Sequence, residues 1–319
     1  MAPNKQSTIG VIVITHNAKH HLPHCLPPLL ESPLQPRVLV VNSSSFDGTV
    51  EEAEALGAET MVIPRREFNH GSTREKARKA LKTDIVVMMT PDAYATSKDA
   101  IERLISPIVS GKARVAYGRQ IPHDGAGFFA SFPRGFNYPP QSHFRTISDV
   151  RHYGIYTFFC SNAFAAYSQE ALEEIGGFQR VLFGEDTVAV ANILRKGHAI
   201  GYVADAVVKH SHSYSLLQEF KRHFDIGLGR ESYRRLLSIA GSDAKRGRRY
   251  VVQMIKQLAK EKPYLLPYAI VQSFAKWLGY TIGRHSQNAP LTFKKLLSQQ
   301  DFYWVYKDDE HVDCADARN

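Results

Sequence analysis

The stretch IGVIVI at residues 9–14 is an unbroken apolar run rich in β-branched side chains, and Thr15-His16-Asn17 closes it with polar groups. A run without polar alternation reads as a strand buried on both faces, the habit of parallel sheets. In open α/β sheets, ligands gather beyond the carboxyl ends of such strands. The pattern repeats outward. Residues 38–41 form a second strand that ends in the turn NSSSFDGT at 42–49. Further strands are expected at 61–63, 84–89, 115–119, 158–167 and 199–208. Helices are expected at 22–30, made irregular by Pro23, Pro27 and Pro28, and at 49–56, 98–109 and 169–175. Another, capped by Ser72 or Thr73, runs to about Leu81. Strands alternating with helices imply a mostly parallel sheet covered on both faces. Regularity is lost over 122–153, where glycine, proline and aromatics crowd as in an active-site loop.

The 319 residues are enough for one large α/β domain with a helical extension, or for two small domains. Hydrophobic content of 44% and charged content of 22% are those of a globular protein. A net charge of +9 favours anionic partners: nucleotide sugars, nucleic acid or an acidic membrane surface. Cys25, Cys160 and Cys314 are odd in number and far apart, which argues for a reducing compartment and against a disulfide framework. The first apolar run is too short for a secretory signal, and no stretch approaches the roughly 20 apolar residues of a membrane span. The expected location is the cytoplasm, with any membrane contact peripheral and at the inner face of the cell membrane.

The candidate chemistry sits at strand ends. Asp92 follows the buried strand at 84–89; it is a helix cap or a ligand for a divalent cation such as Mg²⁺ or Mn²⁺, which would neutralise a diphosphate. Asp47 carries the same two readings. Asn42 or Ser43 could meet a pyrimidine edge, or simply make the turn. Glu185-Asp186 follows Phe183-Gly184 at a helix start. One acid there suits the helix dipole and a second is less expected, so Asp186 is the candidate general base and Glu185 its orienting neighbour or a partner for acceptor hydroxyls. His210 and His212 straddle one residue at the end of a strand, so both can lie on one face; His210 is taken as the metal ligand beside Asp92. Arg66, His70 and Arg74 form a basic patch suited to phosphate, with Gly71 allowing a ligand close approach at a helix N-terminus. A basic amphipathic helix follows His212.

With these segments in view, the chain resembles the family 2 glycosyltransferases of the GT-A fold, and among them the dTDP-rhamnosyltransferases of bacterial surface polysaccharides. VIVITHN at 11–17, NSSSFDGT at 42–49, REFNHGSTRE at 66–75, TPDA at 90–93 and the block running from GED at 184–186 through HSHSYS to RHFDIG at 222–227 carry the likeness. The first two are generic; the FNHGSTR and HSHSYS…RHFDIG segments point to rhamnose. The resemblance implies a Rossmann-like, mostly parallel α/β sheet flanked by helices over residues 1–240, with a C-terminal helical region and polar tail over 241–319. It implies a nucleotide-sugar site at Thr15, His16, Asn17, Asn42, Ser43, Asp47, Asn69, His70, Arg74, Thr90 and Asp92. A metal at Asp92 and His210 and a base at Asp186 are implied too. The sequence departs from the family pattern where Thr90 replaces the first acid of a DXD-like motif, Pro91 a glutamine and Asn42 an aspartate, and where no asparagine follows Thr73-Arg74.

The implied activity is inverting, metal-dependent transfer of L-rhamnose from dTDP-L-rhamnose to a saccharide or lipid-linked saccharide acceptor. A UDP-hexose donor is the alternative within the class. A nucleic-acid partner is not expected, because aromatic-basic interleaving of the RNP type and a helix-turn-helix are both lacking. The tail from KRGRR at 245–249 onward combines basic edges with apolar faces, which suits a membrane interface, a cap on the catalytic domain or a homo-oligomer contact.

Overall fold

A computed structural model describes residues 7–241 and 243–305. Nine strands form one sheet: β1 (Ile9–Thr15), β2 (Arg37–Asn42), β3 (Glu59–Val62), β4 (Ile85–Met89), β5 (Tyr94–Ala95), β6 (Val115–Ile121), β7 (His143–Arg145), β8 (Phe164–Ser168) and β9 (Ile200–Lys209). Their order is β3-β2-β1-β4-β8-β6-β9-β5, with β7 pairing β9 off that path. β1 to β4 are mutually parallel. β8 is antiparallel to both β4 and β6, and β9 follows β6 in parallel, so six of the nine strands point one way. β5 and β7 run against β9.

The apolar runs are explained by what lies on each face. Ile12, Ile14, Leu39, Val41, Val86 and Met88 belong to one buried cluster, whereas Val11, Val13, Val38, Val40, Val87 and Met89 belong to another on the opposite side. Alternate residues of the same strands therefore enter different cores, and neither face tolerates polar groups. All six parallel strands deliver their carboxyl ends to one edge. There Thr15 pairs with Asn42, Asn42 with Val62, and Gln120 and Ile121 with Val208 and Lys209.

Several expectations need correction. The helix His70–Leu81 is capped by Asn69, whose side-chain oxygen accepts from the Gly71 and Ser72 amides; Ser72 and Thr73 lie inside the helix. The stretch 122–153 holds a regular helix, Phe128–Asn137, and β7. The segment 158–167 is strand only from Phe164, because Gly154–Phe158 forms a 3-10 turn. The polar tail at 308–319, with Cys314, lies outside the described residues.

Beyond β9 the chain is helical. Leu216–Ser232 is capped by Ser215, with Gln218 returning the bond to the Ser215 amide. Ala244–Glu261 and Leu266–His285 follow. Among the described residues no helix is long and apolar enough to cross a membrane. Leu216–Ser232 and Leu266–His285 cross with their backbones in contact. A Cβ on Gly279 would lie 2.3 Å from the Phe220 carbonyl oxygen, and one on Gly283 2.1 Å from that of Phe224. This packed pair spans the boundary drawn at residue 240. Gly283→Val should force the helices apart and cost about 1–3 kcal/mol, lowering the thermal unfolding midpoint by several degrees; an unchanged midpoint would show that the crossing does not need glycine.

Candidate active site

Three groups of side chains meet the carboxyl edge of the sheet. The first is the turn region after β1 and β2. Asn17 takes a left-handed backbone, φ 49°; its backbone amide donates to the Ser45 hydroxyl oxygen at 2.7 Å and its side-chain oxygen accepts from the Phe46 amide at 3.2 Å. Asn42 is buried and its carbonyl oxygen accepts from Thr15 and Ser45 hydroxyls. Asp47 spends its carboxylate on the Lys19 and Thr49 amides and the Thr49 hydroxyl. Burial would raise its pKa, but those hydrogen bonds hold it below the usual range. His16 Nδ1 lies 3.0 Å from the Ser43 carbonyl oxygen. Ser43 is fully buried and its hydroxyl accepts from Arg65 at 3.1 Å. Arg65, which the sequence reading passed over in favour of the exposed Arg66, is thus the basic residue that reaches this turn. Phe46 stands out at the rim, 93% exposed.

The second group is Asp92, His210 and His212, whose ligand atoms all lie within 4.8 Å of one another. Two-residue β5 makes the meeting possible: Tyr94 pairs with Lys209, which pins the Thr90-Pro91-Asp92 turn beside the end of β9. The Ala93 amide donates to the Thr90 carbonyl, closing that turn. Asp92 Oδ2 is 3.3 Å from His210 Nε2 and 3.4 Å from His212 Nε2. Protonation states follow from the neighbours. Arg134 has only donors, and its Nη1 meets Gln120 Oε1, so that oxygen faces His210 Nδ1 at 2.8 Å as well. Nδ1 must therefore donate, which leaves the Nε2 lone pair aimed at Asp92. Burial drives the pKa of His210 down, and that of His212 to about 3. One carboxylate facing two neutral imidazole nitrogens is a set of three donors converging on one point, the arrangement a divalent cation satisfies.

The third group is the acidic pair. Gly184 adopts φ 84°, and a Cβ there would lie 2.7 Å from the Tyr233 hydroxyl, so only glycine turns the chain into the helix Glu185–Arg195 at this point. Glu185 Oε1 is bound by Arg74 Nη1 at 2.6 Å and by Asn162 Nδ2 at 3.0 Å, all buried. Burial alone would raise its pKa; Arg74 first, then His70, reverse the sign and keep it ionised. Asp186 is half-buried, and burial together with the Glu185 charge lifts its pKa to about 6. Its oxygens accept from the Thr187 amide at 2.6 Å and the Asn162 amide at 3.4 Å.

The FNHGSTR segment serves this third group. Asn69 Nδ2 donates to the Val181 carbonyl at 2.9 Å, and a Cβ on Gly71 would strike the Gln179 carbonyl oxygen at 1.9 Å. The close approach expected of Gly71 is thus to the loop before the acidic helix rather than to a ligand. Arg74, expected at phosphate, is 2% exposed and committed to Glu185. Burial holds the pKa of His70 at about 4, against a smaller pull from Glu185.

Residues that sequence reasoning missed tie the groups together. Gln120 Nε2 donates to Ser161 Oγ at 2.9 Å, while its oxygen takes His210 and Arg134. Asn162, next in the chain, holds both acids. A path of contacts therefore runs from Asp92 to His210, and on by hydrogen bonds through Gln120 and the 161–162 loop to Asp186. Arg222 lies over the rings of Phe183, next to the acidic helix, and Tyr214, which stacks on His212. Gln120, the penultimate residue of β6 beside Arg119 and just beyond the strand expected at 115–119, carried no distinguishing signal, and Asn162 had none.

The arrangement has counterparts among known proteins. The glycosyl transferase family 2 model matches residues 10–176, just over half of the chain. The chain is 35% identical over 300 residues to the O-antigen chain rhamnosyltransferase RfbN of Salmonella typhimurium, covering 93% of this chain and 96% of that protein. It is 36% identical over 270 residues to the O-antigen chain rhamnosyltransferase WbaN of Salmonella anatum, covering 84% and 86%. In fold it is similar to the mannosyltransferase PcManGT from Pyrobaculum calidifontis, solved with GDP-Man and Mn²⁺, with a TM-score of 0.53 at 15% identity over 96% of this chain and 80% of that one. It also resembles residues 1–349 of TarS from S. aureus, with a TM-score of 0.51 at 15% identity over 88% and 91%. At that identity the two structures speak to the fold alone. From the family match and the near-full-length likeness to its curated relatives, the chain belongs to glycosyl transferase family 2 and is a glycosyltransferase.

Proposed function

We propose that this enzyme transfers L-rhamnose from dTDP-L-rhamnose to a saccharide acceptor during O-antigen synthesis in the cytoplasm, with inversion at the anomeric carbon. The observation that carries this reading is the 35% identity to an O-antigen chain rhamnosyltransferase along 93% of the chain. The specificity-bearing segments at 68–74 and 210–227 fall within it.

In this reading Asp186 takes the proton from the acceptor hydroxyl as that oxygen attacks the anomeric carbon and the bond to the nucleoside diphosphate breaks on the opposite face. A carboxylate with its pKa near 6 is ionised at neutral pH yet basic enough to accept that proton. Glu185 stays charged and orients its neighbour through Asn162. Asp92, His210 and His212 would hold Mg²⁺ or Mn²⁺, which when bound neutralises the diphosphate of the donor. His210 is fixed in its ligating tautomer by Gln120. Thr15, His16, Asn17, Asn42, Ser43 and Asp47 shape the nucleoside site, with Arg65 and the Phe46 ring as its additional members. Because Arg74 is committed to Glu185, Arg222 is the arginine assigned to the phosphates. Asn69 and His70 act by supporting the loop and helix that carry the acids, and Thr90 by closing the Asp92 turn.

Incubation with dTDP-L-rhamnose and an O-antigen saccharide, read by mass spectrometry for one added deoxyhexose, tests the reading; transfer from UDP-hexose instead would overturn it. Thermal-shift titration should rank dTDP above UDP by about 1–3 kcal/mol for one methyl contact. In the same assay Phe46→Ala should weaken both nucleotides alike, as loss of a stacking ring does.

Asp186→Asn should lower kcat by about 10²-fold or more with donor binding retained. In the unaltered enzyme, kcat/KM should fall tenfold per pH unit below about 6, where the base becomes protonated. Because folding raises the pKa of Asp186, its ionisation destabilises the native state as pH rises from the ordinary carboxylate range through 6. Asp186→Asn should therefore also raise the melting temperature at pH 7.5 and leave it nearly unchanged at pH 4. A variant that is active, or no more stable at either pH, removes Asp186 from the role.

For the cation, calorimetry with Mn²⁺ should show loss of binding in Asp92→Ala, His210→Ala and His212→Ala. Gln120→Leu should lose about 10–100-fold in affinity through the freed imidazole. Equal affinity in all four variants would place the cation elsewhere.

A further inference from the structure

The helix Leu266–His285 is apolar on sides that none of the described residues covers. Its inner face, Gln272, Gly279 and Gly283, lies against the helix Leu216–Ser232. Its one charged side chain before Arg284 is Lys276, 17% exposed and bound to Glu219 at 3.1 Å. Opposite that face, at helical spacing of four and three, stand Ile270, Phe274 and Trp277, exposed by 62%, 58% and 59%. The Phe274 and Trp277 rings lie 5.7 Å apart and make one surface, with Val271 beside them. A patch of this kind on a globular protein marks a docking site.

The adjoining helix says what docks there. In Ala244–Glu261, Met254 and Leu258 are buried against the Phe128–Asn137 helix, whereas Lys245, Arg248, Arg249, Val252, Ile255 and Lys256 share the outward face. Basic side chains and aliphatic ones are interleaved there without an acid among them. A second copy of this chain meeting the same face about a two-fold axis would set these cations against their own equivalents. An anionic bilayer surface complements both features at once: headgroups for the lysines and arginines, acyl-chain boundary for the aromatic and aliphatic side chains. We propose that these two helices form a monotopic docking surface for anionic lipid bilayers, lying in the plane of the interface.

The surface is joined to the active site by short contacts. Arg246 points inward and donates to Asn137 Oδ1 at 2.6 Å. The helix ending at Asn137 carries Arg134, which holds Gln120 and through it His210. Docking thus fixes the reacting edge of the sheet relative to the bilayer, where a lipid-linked saccharide would be presented. The inference does not depend on which sugar is transferred.

The test uses the intact chain and vesicles of phosphatidylcholine with or without phosphatidylglycerol. Trp277 reports directly, because the other tryptophan, Trp304, is 3% exposed. Anionic vesicles should shift tryptophan emission to the blue and sediment the protein at least tenfold more strongly than neutral ones, with the difference lost in high salt. Neutralising Lys245, Arg248 and Arg249 together should weaken partitioning about a hundredfold, at roughly 1 kcal/mol per charge. Phe274→Ser with Trp277→Ser should abolish sedimentation while leaving transfer to a soluble saccharide unchanged. Absence of binding to anionic vesicles in low salt overturns the proposal. So does a dimer in sedimentation equilibrium that the Phe274→Ser, Trp277→Ser variant converts to monomer, since that assigns the face to a second copy.

Discussion

The ion pair between Arg74 and Glu185 is the contact on which this active site rests. Both side chains are buried, and a buried charge without its partner costs several kcal/mol. Each therefore dictates the position of the other. Arg74 belongs to a helix that packs under the sheet and Glu185 opens the helix of the acidic pair, so the pair locks two elements 111 residues apart in sequence into one geometry. It also divides the work of two adjacent acids. Glu185 receives the guanidinium and stays ionised, while Asp186 receives two backbone amides and the Thr187 hydroxyl and feels its neighbour's charge. Two adjacent carboxylates with different partners acquire opposite shifts.

Much of the architecture was legible because it follows from a single constraint. β1, β2 and β4 are enclosed on both faces, and a strand so enclosed has to be apolar throughout. The polar residues that end it then stand out as a functional edge. Elements stabilised by partners far along the chain were harder to read. Ser72 and Thr73 looked like helix caps because they are hydroxyls near a helix start. Asn69 takes the role since its amide also reaches Val181, a tie no local pattern encodes. The helix Phe128–Asn137 contains Gly135 and an internal proline, and its phenylalanines make sense only against Met254 and Leu258.

The site residues divide in the same way. Asp92, His210, Glu185 and Asp186 announce themselves as ionisable groups at strand and helix ends. Gln120, Asn162 and Arg134 carry no chemistry of their own that a sequence could advertise; they matter through the tautomer, charge and orientation they impose on others. Conversely Arg74 was conspicuous as a cation and proved to serve a carboxylate inside the protein. A motif shared by a family need not touch its ligand.

The two-residue strand β5 also bears on how the molecule comes to be. Asp92 and His210 are separated by 118 residues, and the pairing of Tyr94 with Lys209 and of Ala95 with Val208 closes that gap. During synthesis the first half of the sheet can collapse long before β9 exists, because β1 to β4 all lie within the first 89 residues. Until β9 pairs, Asp92 stands in the Thr90-Pro91-Asp92 turn without the two imidazoles that face it in the finished fold. Asp92, His210 and His212 therefore come together among the last long-range contacts, so their meeting amounts to a certificate that the far end of the sheet has been threaded in order.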